Sequence, residues 1–420
     1  MTERYFLRPI TPGEFEAYCE VPLEAFNDAD RPSAEAIEQE RVVFEFDRSI
    51  AAFDGGVIVG TTAAYSFQLT VPGGVVSAAG VTFVGVLPSH RRRGILSAMM
   101  RHQLADIAAR GEPVAALFAS ESVIYGRYGY GCGSGQLSLT IRRGEGGLNP
   151  AAGLGAGPGA VRLRTGQPGQ LRTELAKIYD SAVPQRPGMM ARDERWWQSL
   201  LADPENGRRG MSPLKCLLAA DEAGPRGYAL YRTKPDWDED GLPFGSLSVR
   251  ELVAADGAAT AALWADLLTR DLIGEVVARG RPVDDPLLDM LADRRRARAY
   301  LTDALWIRLI DVPAALCGRR YACPADVVLE VIDELLPANA GRWRLQCPGP
   351  GDGATASCER TTAVADLVLP VAALGAGYLG GARLGALATA GLVTEHRKGA
   401  LAMLSAAMYS DPAPWCPSMF

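Results

Sequence analysis

The feature that most constrains the fold is a run of three arginines between a strand-like segment and a helix-like segment. The pattern of Val75–Val86 predicts a strand with a break near Gly80. In Leu96–Ala109, apolar residues recur at three- and four-residue steps, which predicts an amphipathic helix. The turn that joins them, Pro88–Gly94, contains the three arginines. A strand, a tight turn and a helix in this order are typical of an α/β fold.

The position of this positive charge predicts an anion-binding site. The first N–H groups of a helix have no partner within the helix and lie at the positive end of its dipole. Cations are disfavoured there unless an anion neutralises them, and Gly94 allows the backbone to approach that anion closely. We therefore expect a pyrophosphate at Arg91–Gly94. The alternative is a solvated charge run that caps the helix, although the dipole favours such cations at a helix C-terminus.

Further α/β units are predicted along the chain. At about 100–200 residues per domain, the 420 residues suggest two to four domains. Gly146–Pro158 is rich in Gly, Ala and Pro and predicts a linker. Beyond it, the strand-like Val249–Ala254 and the helix-like Ala258–Leu272 repeat the strand–helix order, but their junction has no arginine cluster and only one glycine. We expect such a second copy to have lost its cofactor site.

The last segment begins with strand patterns and ends with helix patterns. Leu305–Ile310 and Val327–Ile332 predict strands, whereas Val371–Leu379 and Gly399–Met408 predict helices. The whole chain is therefore expected to be α/β (α+β). The predicted domain limits are 1–145, 146–295 and 296–420.

Composition and charge restrict the classes of function. Apolar residues make up 48% and charged residues 22% of the chain, as in soluble globular proteins. A net charge of −6 argues against a nucleic-acid partner and is compatible with small cationic substrates. The N-terminus lacks the apolar region of a secretory signal, and the longest apolar run, near Leu367–Ala382, is too short to span a bilayer. We expect a cytoplasmic protein that does not bind a membrane.

Cysteine and histidine usage gives no indication of a metal centre. The eight cysteines are scattered without Cys-x-x-Cys spacing, and there are only three histidines. We expect reduced thiols, no disulfide framework and no metal.

Two motifs carry a resemblance to known proteins. The order strand, Arg-x-x-Gly-x, helix is similar to the acetyl-CoA signature of the GNAT acyltransferases, from which Leu96 departs because Gly or Ala is more common there. Together with His90–Gly94, the stretch Ala119–Gly131 resembles the Eis family of N-acetyltransferases, and so does Leu305–Leu316. The resemblance covers the whole chain in its organisation. It implies two GNAT-like domains in tandem, the second degenerate, followed by a domain similar to sterol carrier proteins.

The resemblance also implies where acetyl-CoA binds. In GNAT enzymes, the strand before the pyrophosphate loop separates from its neighbour, and its free backbone groups hold the pantetheine and the acetyl carbonyl. Residues of the loop and of the end of the next strand complete the site. The matching residues here are Val84, Gly85, Val86, Arg92, Arg93, Gly94, Ile95, Leu96, Ser97, Ser120 and Glu121.

Two groups match the family's catalytic residues. Tyr125 matches the general acid that protonates the departing thiolate of CoA, and the alternative is a packed aromatic in a Gly/Tyr-rich turn. The C-terminal α-carboxylate, here that of Phe420, matches the general base. The alternative for Phe420 is a frayed tail, but Trp415 and the neighbouring prolines favour an ordered one.

The substrate implied by the resemblance is a primary amine of a cationic molecule: an aminoglycoside-like compound, a polyamine or a lysine side chain. Phe26, Asp28 and Phe83 are candidates to line its pocket. The resemblance also implies a homohexamer. The alternative functions are a lipid- or sterol-binding protein with a vestigial acyltransferase domain and a protein with a role in assembly alone. The arginine loop, Tyr125 and Phe420 favour the enzyme.

Overall fold

The computed structural model describes residues 5–27, 31, 33–151, 161–350 and 355–420. Asp28 and most of the predicted linker lie outside the described residues. The chain forms two compact units, of which the first combines the residues up to Ser134 with 304–414 and 418–420. The second comprises 135–303 and 415–417. None of the helices in the described ranges has both the length and the apolar character needed to cross a bilayer.

The N-terminal part of the first unit contains long antiparallel strands and helices on both of their sides. Its strands are β1 (Phe6–Arg8), β2 (Ile50–Asp54), β3 (Val57–Val71), β4 (Gly74–Val86), β5 (Val114–Phe118) and β6 (Gly131–Cys132). Its helices are α1 (Phe15–Phe26), α2 (Ala34–Val43), α3 (Ile95–Ala109) and α4 (Ser122–Tyr125).

The second unit has the same mixture of elements. Its strands are β7 (Gly135–Arg142), β8 (Arg162–Gly166), β9 (Lys215–Asp221), β10 (Gly224–Lys234), β11 (Gly245–Ala254), β12 (Ile273–Arg281) and β13 (Tyr300–Asp303). Its helices are α5 (Arg172–Ala182), α6 (Glu194–Leu201), α7 (Gly257–Thr269) and α8 (Leu287–Met290).

The C-terminal part of the first unit also contains both strands and helices. Its strands are β14 (Leu305–Leu309), β15 (Ala325–Ile332), β16 (Gly341–Cys347), β17 (Ser357–Arg360), β18 (Leu367–Pro370) and β19 (Thr394–Glu395). Its helices are α9 (Val312–Cys317), α10 (Val371–Tyr378), α11 (Leu384–Thr389) and α12 (Ala400–Met408). It has the predicted strands at β14 and β15 and the predicted helices at α10 and α12, but α9 directly follows β14, and β19 lies between α11 and α12.

The sheet orders are β1-β2-β3-β4-β5-β14-β6 and β17-β16-β15-β18-β19 in the first unit, and β13-β7-β12-β11-β10-β9-β8 in the second. Two strands pair in ways that the predicted domain limits do not anticipate. β7 precedes the limit at 145 but pairs with β12 and β13, and β14 follows the limit at 295 but pairs with β5 and β6. These pairings join residues far apart in the chain, which local sequence patterns do not encode. The limits themselves stay predictions.

Helix α3 is amphipathic as predicted, and its apolar face fixes it on the first sheet. Met100, Leu104 and Ile107 are buried against Ala79 and Leu117 of the two central strands. At about 1.5–3 kcal/mol per fully buried large apolar side chain, this face stabilises the position of the helix start. The turn before α3 is thereby held at the end of β4.

The predicted break of β4 near Gly80 is wrong. The strand is continuous through Gly80, and its register with β3 shifts further along, opposite Thr61–Ala63. There Phe83 adopts a positive φ of 52°. Gly80 is required for space instead, because a Cβ atom at this position would lie 2.2 Å from the ring of Phe67 and 3.0 Å from that of Phe420.

Candidate active site

The two central parallel strands of the first sheet separate, as the resemblance implies. β4 and β5 pair only from Ala78 to Gly80, although β4 continues to Val86. On its other edge β4 stays paired with β3, since Val86 lies opposite Gly60. The backbone of β4 beyond Gly80 therefore faces an opening. A cavity of about 340 Å³ lies there, and Val84, Gly85 and Val86 line it.

The start of α3 forms one wall of this cavity. Gly94 caps the helix with a φ of 82°, and a Cβ atom there would meet nothing within 4 Å. The first bond of the helix is donated by Ala98 to the Gly94 carbonyl. The amides of Ile95, Leu96 and Ser97 make no hydrogen bond with another described residue. Three amide donors at the positive end of the dipole are therefore free for an anion.

The three arginines have different roles. Arg91 is tied down, because its Nη2 donates to the Ala25 carbonyl at 2.7 Å. Arg93 lies outside the cavity lining, and its Nη1 is 3.4 Å from the Tyr5 hydroxyl. Arg92 lines the cavity, has a φ of 61°, and has no hydrogen bond or ion pair to another described residue. Arg92 is therefore the arginine with a guanidinium left for a ligand.

Tyr125 also lines this cavity and lies at the end of the short helix that follows β5. Ser120 and Glu121, which connect β5 to this helix, also line the cavity. The Tyr125 side chain is only 6% exposed. Burial, with smaller contributions from Tyr128 and the Glu121 carboxylate, raises the pKa of Tyr125 to about 12. The phenol therefore keeps its proton at neutral pH and can donate it.

Phe420 lies where the pairing of the two central strands ends. Its ring contacts Phe67 on β3 and Phe118 at the end of β5, with centroid distances of 4.9 and 5.4 Å. Gly80 provides the space for this ring. The last residue thus packs beside the end of β5, the strand that leads into the helix of Tyr125.

The three candidate substrate residues are placed differently. Phe26 lines the cavity and is 55% exposed. Phe83 does not line it, and its ring packs against Tyr18 and Phe44 at 5.7 and 5.5 Å. Its positive φ ends the regular alternation of β4 and turns the side chain into the core. Asp28 lies outside the described residues.

The cavity also has walls that the sequence did not indicate. Tyr128 is one of them, and its hydroxyl is 3.1 Å from Oγ of Ser97. This contact fixes the start of α3 against the turn after Tyr125. The Gly/Tyr-rich composition of that turn was the available signal. The other unpredicted lining residues are Ala25, His90, Ile124 and Arg127. Over the described part of the chain, no group of His, Cys, Asp and Glu side chains is placed to hold a metal ion.

In the second sheet the two central parallel strands also separate, but side chains of the protein occupy the space between them. β11 and β12 pair in parallel from Gly245 to Val249, and β11 then continues to Ala254 paired with β10 alone, so that its other edge is free of β12. Next to this free stretch, Arg281 donates to the Leu252 carbonyl at 2.8 Å. The helix that follows, α7, is capped by the carboxylate of Asp256, which accepts from the Ala259 amide at 2.9 Å. Both positions that are open in the first sheet are occupied by side chains here.

The matches to protein-family models agree with this organisation. A model described as an acetyltransferase (GNAT) domain matches residues 7–133, and a second GNAT model matches residues 188–309. A sterol carrier protein domain model matches residues 312–417.

Whole-chain relatives identify the family. The chain is 45% identical to an uncharacterised N-acetyltransferase of Streptomyces coelicolor over 98% of its length and 99% of the relative. It is 38% identical to the N-acetyltransferase Eis of Mycobacterium tuberculosis over 85% of its length and 84% of that protein. The chain belongs to the Eis-like N-acetyltransferases. The crystal structure of Eis1 from Mycobacterium abscessus superposes on this Eis-like enzyme with a TM-score of 0.80 at 34% identity, covering 99% of this chain and all of the other.

Proposed function

We propose that this Eis-like enzyme transfers the acetyl group of acetyl-CoA to a primary amine of a cationic substrate, by direct attack of the amine on the thioester. Use of acetyl-CoA is what the GNAT fold implies. The observation that carries the proposal is the single cavity in which a free helix start, a separated strand and Tyr125 meet.

The residues around the cavity fit acetyl-CoA. The free amides of Ile95, Leu96 and Ser97 and the guanidinium of Arg92 suit the pyrophosphate. The unpaired edge of Val84–Val86 offers backbone groups to the amides of pantetheine, as an added strand would.

Tyr125 would act as the general acid. The amine nitrogen bonds to the acetyl carbon, the carbon–sulfur bond breaks, and the phenol gives its proton to the sulfur. An unperturbed phenol titrates near pH 10 and a thiol near about 8.5. Burial raises the pKa of Tyr125 to about 12, which alone would weaken it as an acid. The same burial disfavours the thiolate and raises its pKa as well, so that the two groups stay matched.

The α-carboxylate of Phe420 would be the base. An α-carboxyl group titrates at about 3.3–3.7 and is ionised at neutral pH. It would take the proton that the amine loses, directly or through water. The packing of the Phe420 ring on Phe67 and Phe118 supports a fixed position for this carboxylate near the end of β5.

The substrates that we propose are aminoglycoside-like amines, polyamines or lysine side chains. The net charge of −6 favours cations, and the exposed Phe26 offers an apolar surface at the cavity. Assembly into a homohexamer is part of the same proposal and follows from the resemblance alone. A lipid-binding protein with a vestigial acyltransferase domain is not favoured, because the chain belongs to the N-acetyltransferases.

The test is release of CoA thiol from acetyl-CoA in the presence of aminoglycosides, polyamines and a lysine peptide. We expect amine-dependent thiol release, with mass spectrometry detecting an acetylated amine. A tertiary amine of similar charge is the matched control, because it cannot form a stable amide. Absence of turnover with every amine, together with saturable binding of a fatty acid or sterol, would overturn the proposal.

A further inference from the structure

A buried arginine lies behind the turn that carries Tyr125. Arg308 is on β14, the strand inserted between β5 and β6, and lies opposite Ala115 of β5. Its side chain is fully buried. Its Nη1 donates to the Leu309 carbonyl at 2.8 Å, and its Nη2 is 2.7 Å from both carboxylate oxygens of Asp333. The guanidinium is therefore fixed at one end.

The carboxylate that holds Arg308 is itself fixed. Asp333 accepts hydrogen bonds from the amides of Leu335 and Leu336, both at 3.1 Å. It also accepts from the Asn339 side chain at 3.0 Å. The pair has little freedom to shift, so that Arg308 keeps one orientation.

The other end of the guanidinium faces the tyrosine turn. A Cβ atom on Gly129 would lie 2.7 Å from Nε of Arg308, so only glycine fits between them. Gly129 has a φ of 82° and closes the turn by donating to the Gly126 carbonyl at 3.0 Å. The next amide, that of Tyr130, donates to the Tyr125 carbonyl at 3.3 Å. Arg308 thus supports the backbone that sets the position of Tyr125.

The rings of Tyr125 and Tyr130 pack against each other, so that the position of one restricts the other. Tyr125 and Tyr130 pack edge to face with centroids 6.1 Å apart. Tyr130 is 1% exposed, and neither its hydroxyl nor Nε of Arg308 has a hydrogen-bond partner among the described residues. Burial raises the pKa of Tyr130, whereas the charge of Arg308 lowers it. The arginine charge therefore acts on Tyr130, the ring that packs against Tyr125.

We propose that Arg308 is a positioning residue for Tyr125. It supports the turn from Tyr125 to Tyr130 and directs the positive end of its pair with Asp333 towards the tyrosines. The Tyr125 oxygen becomes negative when its proton moves to the sulfur of CoA, and a positive charge on that side stabilises it. A buried ion pair contributes little net stability compared with an apolar replacement, so that core stability alone does not explain it. The inference rests on the proposed role of Tyr125 as the acid.

The experiment is a double-mutant cycle between Arg308→Met and Tyr125→Phe, with kcat and the Kd of acetyl-CoA measured for each variant. We expect Arg308→Met to lower kcat about tenfold or more, the size of one coupled interaction, and to leave the Kd within about twofold. We expect this loss to disappear in the Tyr125→Phe background. The matched control is Arg48→Met, which removes another buried arginine–carboxylate pair, with Glu112. Any effect of that control should persist in both backgrounds.

Two further variants cover the case in which Arg308→Met does not fold. Arg308→Lys keeps a positive charge behind the tyrosines, whereas Asp333→Asn removes the carboxylate that fixes the guanidinium, so we expect Arg308→Lys to retain more of kcat than Asp333→Asn. An equal loss in Asp333→Asn and Arg308→Lys would mean that the pair is only structural and would overturn the proposal. So would an Arg308→Met loss that persists when Tyr125 is already Phe. If Tyr125→Phe itself keeps full kcat, the proposed role of Tyr125 as the general acid is wrong. This outcome is distinct from the results that would contradict the role of Arg308 alone.

Discussion

The two GNAT-like sheets differ most where their central parallel strands separate. In the first sheet, the helix start after the separating strand has no side-chain cap, and Arg92 next to it has no partner among the described residues. In the second sheet, Asp256 caps the corresponding helix and pairs with Arg226. The same helix dipole is thus left open for an external anion in one sheet and used by an internal carboxylate in the other.

The strand edges differ in the same way. Val84–Val86 face a cavity, whereas the Leu252 carbonyl is occupied by Arg281, and the Gly280 carbonyl accepts from the indole of Trp415. Glu251 next to Leu252 is buried and paired with Arg192. The difference teaches that a copy of this fold can become a closed scaffold when its own side chains provide the charges that a ligand would bring.

The comparison depends most on the ability of the cavity in the first sheet to catalyse acetyl transfer. Removing Phe420, or adding residues after it, should lower turnover at least ~100-fold, the lower range for loss of a general base. Steady-state kinetics and acetyl-CoA titration would check this, and the affinity should stay nearly the same. Met419→Ala is the control, because this side chain is 75% exposed. Unchanged turnover after deletion would remove Phe420 from the mechanism.

Tyr125→Phe removes the acid and keeps the ring. We expect kcat to fall by about 10²–10⁴-fold, with an unchanged Kd for acetyl-CoA. Because the folded enzyme has a Tyr125 pKa raised to about 12, the acid stays protonated up to about pH 11. The pH–rate profile should therefore show no loss from this group between pH 8 and about 10. A decline there that vanishes in Tyr125→Phe would contradict the assignment.

Substitutions at the corresponding position of the second sheet should change the stability of the protein and not its binding of acetyl-CoA. Arg192→Met leaves Glu251 buried without its partner and should destabilise the protein by about 3–5 kcal/mol, measured by chemical denaturation. Arg164→Met breaks a largely exposed pair with Glu174 and should cost at most about 1 kcal/mol. Should Arg192→Met create a second acetyl-CoA site, the closed-scaffold interpretation would be wrong.

The smallest expected effect concerns the arginine loop. Arg92→Ala should weaken acetyl-CoA binding by about 1.5–3 kcal/mol, as for one lost charged hydrogen bond, measured by calorimetry. Arg93→Ala, whose side chain lies outside the cavity lining, should weaken it less. Full affinity in Arg92→Ala would place the pyrophosphate elsewhere.

Local patterns predicted the parts of the site that depend on local physics. The amphipathic spacing of α3 and the arginines before it were sufficient to predict the open helix start. The position of Phe83 was not predictable, because a positive φ interrupts the alternation of side chains along β4. Arg308 was missed because its neighbours come from distant parts of the chain, and no pattern around it indicates that it would face Tyr130.

The insertion of β14 into the first sheet has a consequence for the order of events during synthesis. Leu305 donates to the Ser134 hydroxyl although the two residues are 171 positions apart. At about 5–20 residues per second, the ribosome would need about 10–30 s to produce that strand after Ser134. Throughout this interval the edge of β5 has no partner, and an unpaired strand edge is prone to aggregation. The nascent N-terminal part would therefore depend on protection of this edge, as by a chaperone, until its missing strand arrives.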